Sequence, residues 1–209
     1  MKKLLLATLI CALVFGMVAT AKATVLAPGG FGTITGAGLP GGSVFVASTN
    51  PSFSFATLSG NILQDVYLNS TGYLFVYRLT NSSASSDAIG RMTATDFTGF
   101  ATEVDGYLVS AGDDQPHGSN RALSGNTIGF TFEDASAGDA GLMPGASSYA
   151  LWIQTNSQFF GPGQVHLING GTHDVGVYGP YVPEPATLSL LGFGLLGFVG
   201  RVVRKRRKA

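Results

Sequence analysis

Residues 24–181 predict an all-β fold, a β-sandwich or jelly-roll-like domain, and three observations carry that reading. Gly, Ser, Thr and Asn are abundant in this stretch, while lysine is absent and glutamate occurs only at 103 and 133, so good helix formers are thin. Aromatic and β-branched residues come in short runs bounded by Gly, Asn, Asp and Pro. Turn signals recur about every 8 to 12 residues, the spacing of a sandwich.

Taken in order, residues 26–42 are rich in Gly and Pro and read as loop or irregular edge. Residues 43–48 (SVFVAS) and 52–58 (SFSFATL) are short strands. The clearest element is a hairpin of residues 61–69 and 73–80 around Ser70-Thr71-Gly72. In its second strand Tyr73, Phe75, Tyr77 and Leu79 share one face, and Leu74, Val76, Arg78 and Thr80 share the other. Both faces are largely apolar, which predicts a central strand covered on two sides or a sheet edge under a neighbour. Residues 81–87 are a polar loop, and 89–95 and 102–111 are further strands. Residues 112–120 (GDDQPHGSN) read as loop, 127–132 as strand, and 133–145 as an acidic, Gly-rich loop. Residues 148–155 alternate, with Tyr149, Leu151 and Ile153 on one side and Ala150, Trp152 and Gln154 on the other. Residues 164–168 and 173–178 close the set, joined by Asn169-Gly170-Gly171-Thr172.

The zero net charge of the whole chain conceals a strong asymmetry. The middle holds only Arg78, Arg91 and Arg121 against 11 carboxylates, which makes it −8 with histidine neutral. A domain this acidic does not hold a phosphate backbone, so nucleic acid is not an expected partner. The single cysteine, Cys11, lies in the N-terminal 23 residues. A mature chain without them has no disulfide, no thiolate nucleophile and no cysteine metal site. A domain of about 160 residues buries enough core to manage without disulfides.

Both ends read as addresses. Met1-Lys2-Lys3 is a positive n-region, residues 4–18 are an apolar h-region, and Ala21-Lys22-Ala23 is a small-x-small cleavage site, with Ala19-Thr20-Ala21 as the alternative. Residues 1–23 are therefore expected to be a signal peptide, its cleavage set by Ala21 and Ala23, with the mature chain beginning near Thr24. At the other end stand Val182-Pro183-Glu184-Pro185, then 15 residues without charge (186–200), then a basic end. The two prolines forbid a helix through the motif and favour extended backbone, the shape a protease takes into its cleft. Residues 186–200 rise roughly 22 Å as a helix, and adding 201–203 brings roughly 27 Å, a thin but feasible span of a core of about 30 Å. Arg201, Arg204, Lys205, Arg206, Arg207 and Lys208 then act as the membrane stop-transfer signal, and the positive-inside bias keeps them in the cytoplasm.

That tripartite tail resembles the PEP-CTERM sorting signal of Gram-negative bacteria, over residues 182–209. The resemblance implies processing at Pro183, Glu184 and Pro185 by an exosortase, a membrane enzyme with sortase-like logic. It also implies an association with exopolysaccharide and biofilm. The chain would be the substrate of that enzyme and not itself an enzyme. The order of aromatic-rich hairpin, Phe-rich strand, Pro144-Gly145 loop, Trp-bearing strand and Asn-Gly-Gly hairpin is also similar to passenger domains found with this signal.

Other chemistry was sought in the middle. Gly36-x-Gly38-x-x-Gly41 and Gly192-x-Gly194-x-x-Gly197 match the dinucleotide string, but neither follows a strand and opens a helix. There is no Gly-x-Ser-x-Gly elbow and no His-Glu-x-x-His. If Ile168 pairs with His173, then His166 and His173 become diagonal neighbours beside Asp174, a geometry for a zinc pair. Asp113-Asp114 and the 133–139 loop carry the oxygen ligands that calcium uses, though not at EF-hand spacing. No cofactor and no metal is assigned. Asn69-Ser70-Thr71 and Asn81-Ser82-Ser83 are formal glycosylation sequons. The expected function is that of an exported, inner-membrane-anchored and then processed surface or matrix protein without enzymatic activity. The alternative is a carbohydrate-binding module using Tyr67, Tyr73, Tyr77, Trp152 and Tyr178 as stacking faces. An exposed row of two or three of these on one face would favour it.

Overall fold

A computed structural model describes residues 23–183. The expected signal helix, and the transmembrane helix expected after Pro185, lie outside the described residues. Within them are thirteen strands and no helix: β1 (Thr24–Val25), β2 (Phe31–Gly32), β3 (Val44–Thr49), β4 (Ser52–Ser54), β5 (Ser59–Leu68), β6 (Tyr73–Asn81), β7 (Arg91–Ala94), β8 (Thr102–Tyr107), β9 (Gly118–Arg121), β10 (Ile128–Thr131), β11 (Ala150–Thr155), β12 (Phe160–Ile168) and β13 (Thr172–Pro180). They form two antiparallel sheets. One runs β1-β8-β11-β6-β5-β3, with β4 also on β5; the other runs β13-β12-β7-β10-β9-β2. The all-β expectation holds.

β6 sits between β11 and β5 in its sheet, and both of its apolar faces are covered. Phe75, Tyr77 and Leu79 enter the main core between the sheets, with Leu151 and Ile153 from β11 beside them. Leu74 and Val76 point outward and join Ala150 and Trp152 in a smaller cluster. A sandwich sheet would ordinarily show that outer face to water. Here Ala23, Leu39, Tyr67 and Tyr107 cover it. The covering loop between β2 and β3 is tied down by Asp105, fully buried on β8. Asp105 accepts from the Thr35 N–H at 2.7 Å, the Gly36 N–H at 3.1 Å and the Thr35 hydroxyl. Trp152 Nε1 donates to the Ala37 carbonyl at 3.3 Å. A charge-assisted set of this kind holds a glycine-rich segment that has few apolar contacts of its own.

The β5–β6 hairpin turns where the sequence indicates. Asn69 Oδ1 accepts from the backbone N–H groups of Thr71 and Gly72. Gly72 has φ +146°, and a Cβ there would meet the Thr155 and Ser157 carbonyls at 2.6 Å, so no other residue fits without displacing the backbone.

Three elements differ from expectation. β2 and β9 fall in stretches read as loop, because Phe31–Gly32 and Gly118–Arg121 show no apolar alternation. They exist through pairing on β10 and on each other, with Ser119 and Arg121 turned inward. β12 begins at Phe160 rather than 164, although Pro162 lies within it. Pro162 stands opposite Tyr178, whose carbonyl accepts from Gln64 Nε2 at 2.7 Å, so the missing proline N–H leaves no acceptor unmet.

The sheets are clasped by two buried polar side chains. Gln64 on β5 reaches across to β13, its Nε2 donating to the Tyr178 carbonyl at 2.7 Å while its Oε1 accepts the Tyr178 N–H. The amide thus imitates one residue of a neighbouring strand. Arg121 on β9 uses all five of its N–H bonds. Nε donates to the Gly125 carbonyl, Nη1 to the Leu26 carbonyl and the Thr102 hydroxyl, and Nη2 to the Phe97 and Phe100 carbonyls. Burial lowers its pKa, yet a guanidinium stays charged. Removing it would strand the Gly125 and Phe100 carbonyls, while Leu26 keeps the Thr102 hydroxyl and Phe97 keeps the Phe100 N–H.

Arg121→Met is therefore expected to reduce the unfolding free energy by about 3 kcal/mol or more. Arg121→Lys should recover little, since a point charge with three donors cannot serve five positions. Urea denaturation followed by fluorescence of Trp152, the single tryptophan and a buried one, measures both. A Met variant as stable as the parent would show that the clasp does not matter.

Candidate functional site

The sequence points to the chain's C-terminal exit, and the fold places that exit at one end of the sandwich. β13 pairs with β12 in register from Ile168↔Thr172 to Phe160↔Pro180. One residue later the Tyr181 N–H donates to the Phe159 carbonyl at 3.0 Å, the last anchorage of the described chain. Val182 and Pro183 follow, both exposed. Glu184, Pro185 and the cations Arg201, Arg204, Lys205, Arg206, Arg207 and Lys208 lie outside the described residues. The processing motif thus begins directly where the fold stops, with no linker between them.

At the other boundary, Ala23 is half-buried and packs on the outer cluster containing Trp152, while Ala21 lies outside the described residues. β1 begins at Thr24, which pairs with Val104. Among the described residues, no helix is long and apolar enough to cross a membrane.

The aromatic residues weighed as stacking faces do not form an exposed row. Tyr77 and Trp152 are 1% exposed. Tyr73 and Tyr178 pack on Phe160, with ring centroids 4.9 and 5.4 Å apart. Tyr67, half-buried like Tyr73 and Tyr178, packs on the outer cluster and lies edge-on to Phe45. Burial in this manner is what a sandwich core demands of its largest side chains.

The pairing that would unite two imidazoles is not the one observed. The turn takes three residues rather than four, so Ile168 pairs with Thr172 and His173 stands opposite Leu167. One step of register moves a side chain to the opposite face. His166 pairs with Asp174, their Nδ1 and Oδ1 2.6 Å apart, while His173 stacks on Phe55 at 4.2 Å. The zinc geometry is excluded for these two residues.

The two acidic loops do approach each other. His117 Nε2 and Asp139 Oδ2 are 2.9 Å apart, and Asp134 and Asp139 bridge through their backbones. Asp113 is taken up elsewhere, accepting from Arg78 at 2.7 Å and from the N–H groups of Val109 and Ser110. Among the described residues no three His, Cys, Asp or Glu side chains are arranged to hold a metal ion. The Ser136 hydroxyl and N–H hold the Asp134 carboxyl below the ordinary range, and the Gly141 N–H and His117 do the same for Asp139. Burial, with Asp139 nearby, pushes Asp114 above it. Of the two sequons, Asn81 is fully buried with its amide donating to the Asp87 and Leu142 carbonyls, so it is closed to modification. The Gly36–Gly41 string lies in the loop before β3, not between strand and helix.

Sequence reasoning missed Gln64, Asp105 and Arg121. No motif marks them. The one available signal was that a middle with so few cations places one of them, Arg121, in a turn-rich stretch without a nearby carboxylate in sequence.

Asp114 gives a pH prediction. A carboxyl with a raised pKa in the folded state carries a stability cost that is fully present above that folded value. The cost vanishes as pH falls below the ordinary value of 3.8. Asp114→Asn is expected to raise Tm near neutral pH, with the gain disappearing in acid. A gain of equal size at both ends of a Tm–pH series would show that the cause is not ionisation.

No curated protein and no solved structure matches the chain. The match that exists covers the end of β13's continuation: the family model described as the PEP-CTERM protein-sorting motif aligns with residues 182–207. Starting at the first residues beyond the Tyr181 anchorage, the chain carries a PEP-CTERM protein-sorting motif, which marks it as an exported protein targeted to an exosortase.

Proposed function

We propose that this chain is a non-enzymatic surface or matrix protein delivered in two steps. Residues 1–23 direct export and are removed. The apolar segment after Pro185 then holds the chain in the inner membrane with its basic end in the cytoplasm. An exosortase trims it at Pro183, Glu184 and Pro185. The sandwich of residues 24–181 is left at the cell surface or in the extracellular polymer, with an exopolysaccharide or biofilm association.

The observation that carries this reading is the direct abutment of the sorting motif on the last strand. A folded domain ends at Tyr181, a motif with two prolines follows at once, and an apolar run and six cations complete the tail. The domain itself has the features of a passenger. It is cysteine-free after residue 23, and its three cations are occupied internally. Arg78 bonds Asp113, Arg91 bonds Thr131 and Asn120, and Arg121 bonds backbone carbonyls. That leaves no basic surface among the described residues for a phosphate polymer.

An epitope tag inserted after Ala137, in the exposed loop between β10 and β11, allows the processing to be followed. Pro183→Ala combined with Glu184→Ala is expected to leave the product at full size in the membrane fraction. Deleting the exosortase should give the parent chain the same fate. A double variant that is trimmed and released like the parent would remove the motif from the account.

A further inference from the structure

We propose that the end of the sandwich from which the C-terminus leaves is a lipid-docking face that lies on the bilayer surface before processing. This rests on the reading that the segment after Pro185 enters the membrane, and goes beyond it by assigning the face a contact of its own.

The pairing registers define that end. The start of β12 and the end of β13 meet there, with the turn between β9 and β10, the end of β7, the start of β8 and the β5–β6 turn. Arg121 bonds Thr102 and the Phe97 carbonyl, and Tyr73 packs on Phe160, so both sheets finish together. Leu123, 89% exposed, stands at the tip of the β9–β10 turn, and Val25, 71% exposed, ends β1. Val44, Phe159, Tyr181 and Val182 are exposed on the same end. An apolar cleft of about 420 Å³ opens between Val25, Pro28 and Phe100, with Arg121 in its wall. All five Arg121 donors are already used, so the cleft offers apolar surface rather than a polar grip.

The charges are sorted along the same axis. Asp87, Asp113, Asp114, Glu133, Asp134 and Asp139 sit in the loops of the opposite end, and Asp174 sits at the start of β13. Among the described residues only Asp96 and Glu103 flank the exit end, and Glu184 follows in the tail. Leu108, Val109 and Met143 are exposed at the far end too, but among those seven carboxylates. An anionic bilayer repels the far end and tolerates the near one.

Reach decides the matter. Four residues separate Tyr181, held by Phe159, from the apolar run that begins at Ala186. The five chain steps from Tyr181 to Ala186 span at most about 18 Å when fully extended. The headgroup layer on one side takes roughly 5–7 Å of that. The exit end is therefore held within about 10 Å of the headgroups, and exposed apolar side chains kept there are more stable against lipid than against water.

The test uses the unprocessed chain, purified from cells lacking the exosortase and reconstituted in vesicles of phosphatidylethanolamine and phosphatidylglycerol. Leu123→Cys and Met143→Cys, each labelled with a fluorophore, are compared against a spin-label quencher carried near the lipid headgroup. Quenching at 123 is expected to be several-fold stronger than at 143, and to persist when a flexible Gly/Ser segment is inserted between Tyr181 and Val182. Equal quenching, or quenching at 123 lost on lengthening the tether, overturns the docking face. Alkaline extraction of the same vesicles separates the two readings. A chain retained but unquenched leaves the anchor standing without the docking face, and a chain extracted overturns both. A label at 123 unquenched in lipid alone but shielded when exosortase is present would assign the face to the enzyme and overturn lipid docking.

Discussion

One buried guanidinium with no carboxylate beside it organises the exit end of this fold. Arg121 gathers carbonyls from the turn after β9, the end of β1 and the loop between β7 and β8, three segments with little regular structure of their own. Burying an unpaired charge is costly unless every donor is met, and here every donor is met by neutral oxygen. The result is a junction that closes one end of the sandwich where a secreted domain would otherwise use a disulfide. Gln64 performs the complementary task on the opposite side of the sheets, occupying the open edge of β13 at Tyr178 as if it were another strand. An exposed strand edge invites pairing with other chains, and this one is partly closed from within.

What the sequence discloses follows from which physical signals are local. β6 and β11 could be assigned face by face, because period-two alternation of large apolar side chains is written in consecutive residues. The observed clusters divide Leu151 and Ile153 from Ala150 and Trp152 along the expected line. The sorting motif was equally legible, since its three parts are contiguous. β2 and β9 were not, because their existence depends on neighbours far away in the chain. The register of the last hairpin was misjudged by one residue, and that single step separated two histidines which a longer turn would have brought together. Arg121, Gln64 and Asp105 were invisible for the same reason. Their partners lie up to 114 residues away, and no spacing rule encodes such distances.

The aromatic residues illustrate how composition leaves placement open. Five tyrosine and tryptophan side chains suggested a surface for sugar rings, yet the fold consumes most of them as core. With the sorting tail excluded, the middle of the chain presents an acidic end and an apolar end. Its polarity is set by which loops carry aspartate and which carry leucine, valine and phenylalanine. Orientation relative to a boundary is thus built into the domain, and the tail is attached at the end that suits it.

β13 is both the last strand of the sandwich and the strap to which the tail is tied. A pull on that tail acts along the strand axis. It loads the ladder from Phe160↔Pro180 to Ile168↔Thr172 in shear, so that its bonds must break together rather than peel one at a time. Gln64 adds a rivet near the loaded end. A protein tethered by this terminus in flowing water would resist being drawn out of its fold, a mechanical robustness that follows from where the strand ends.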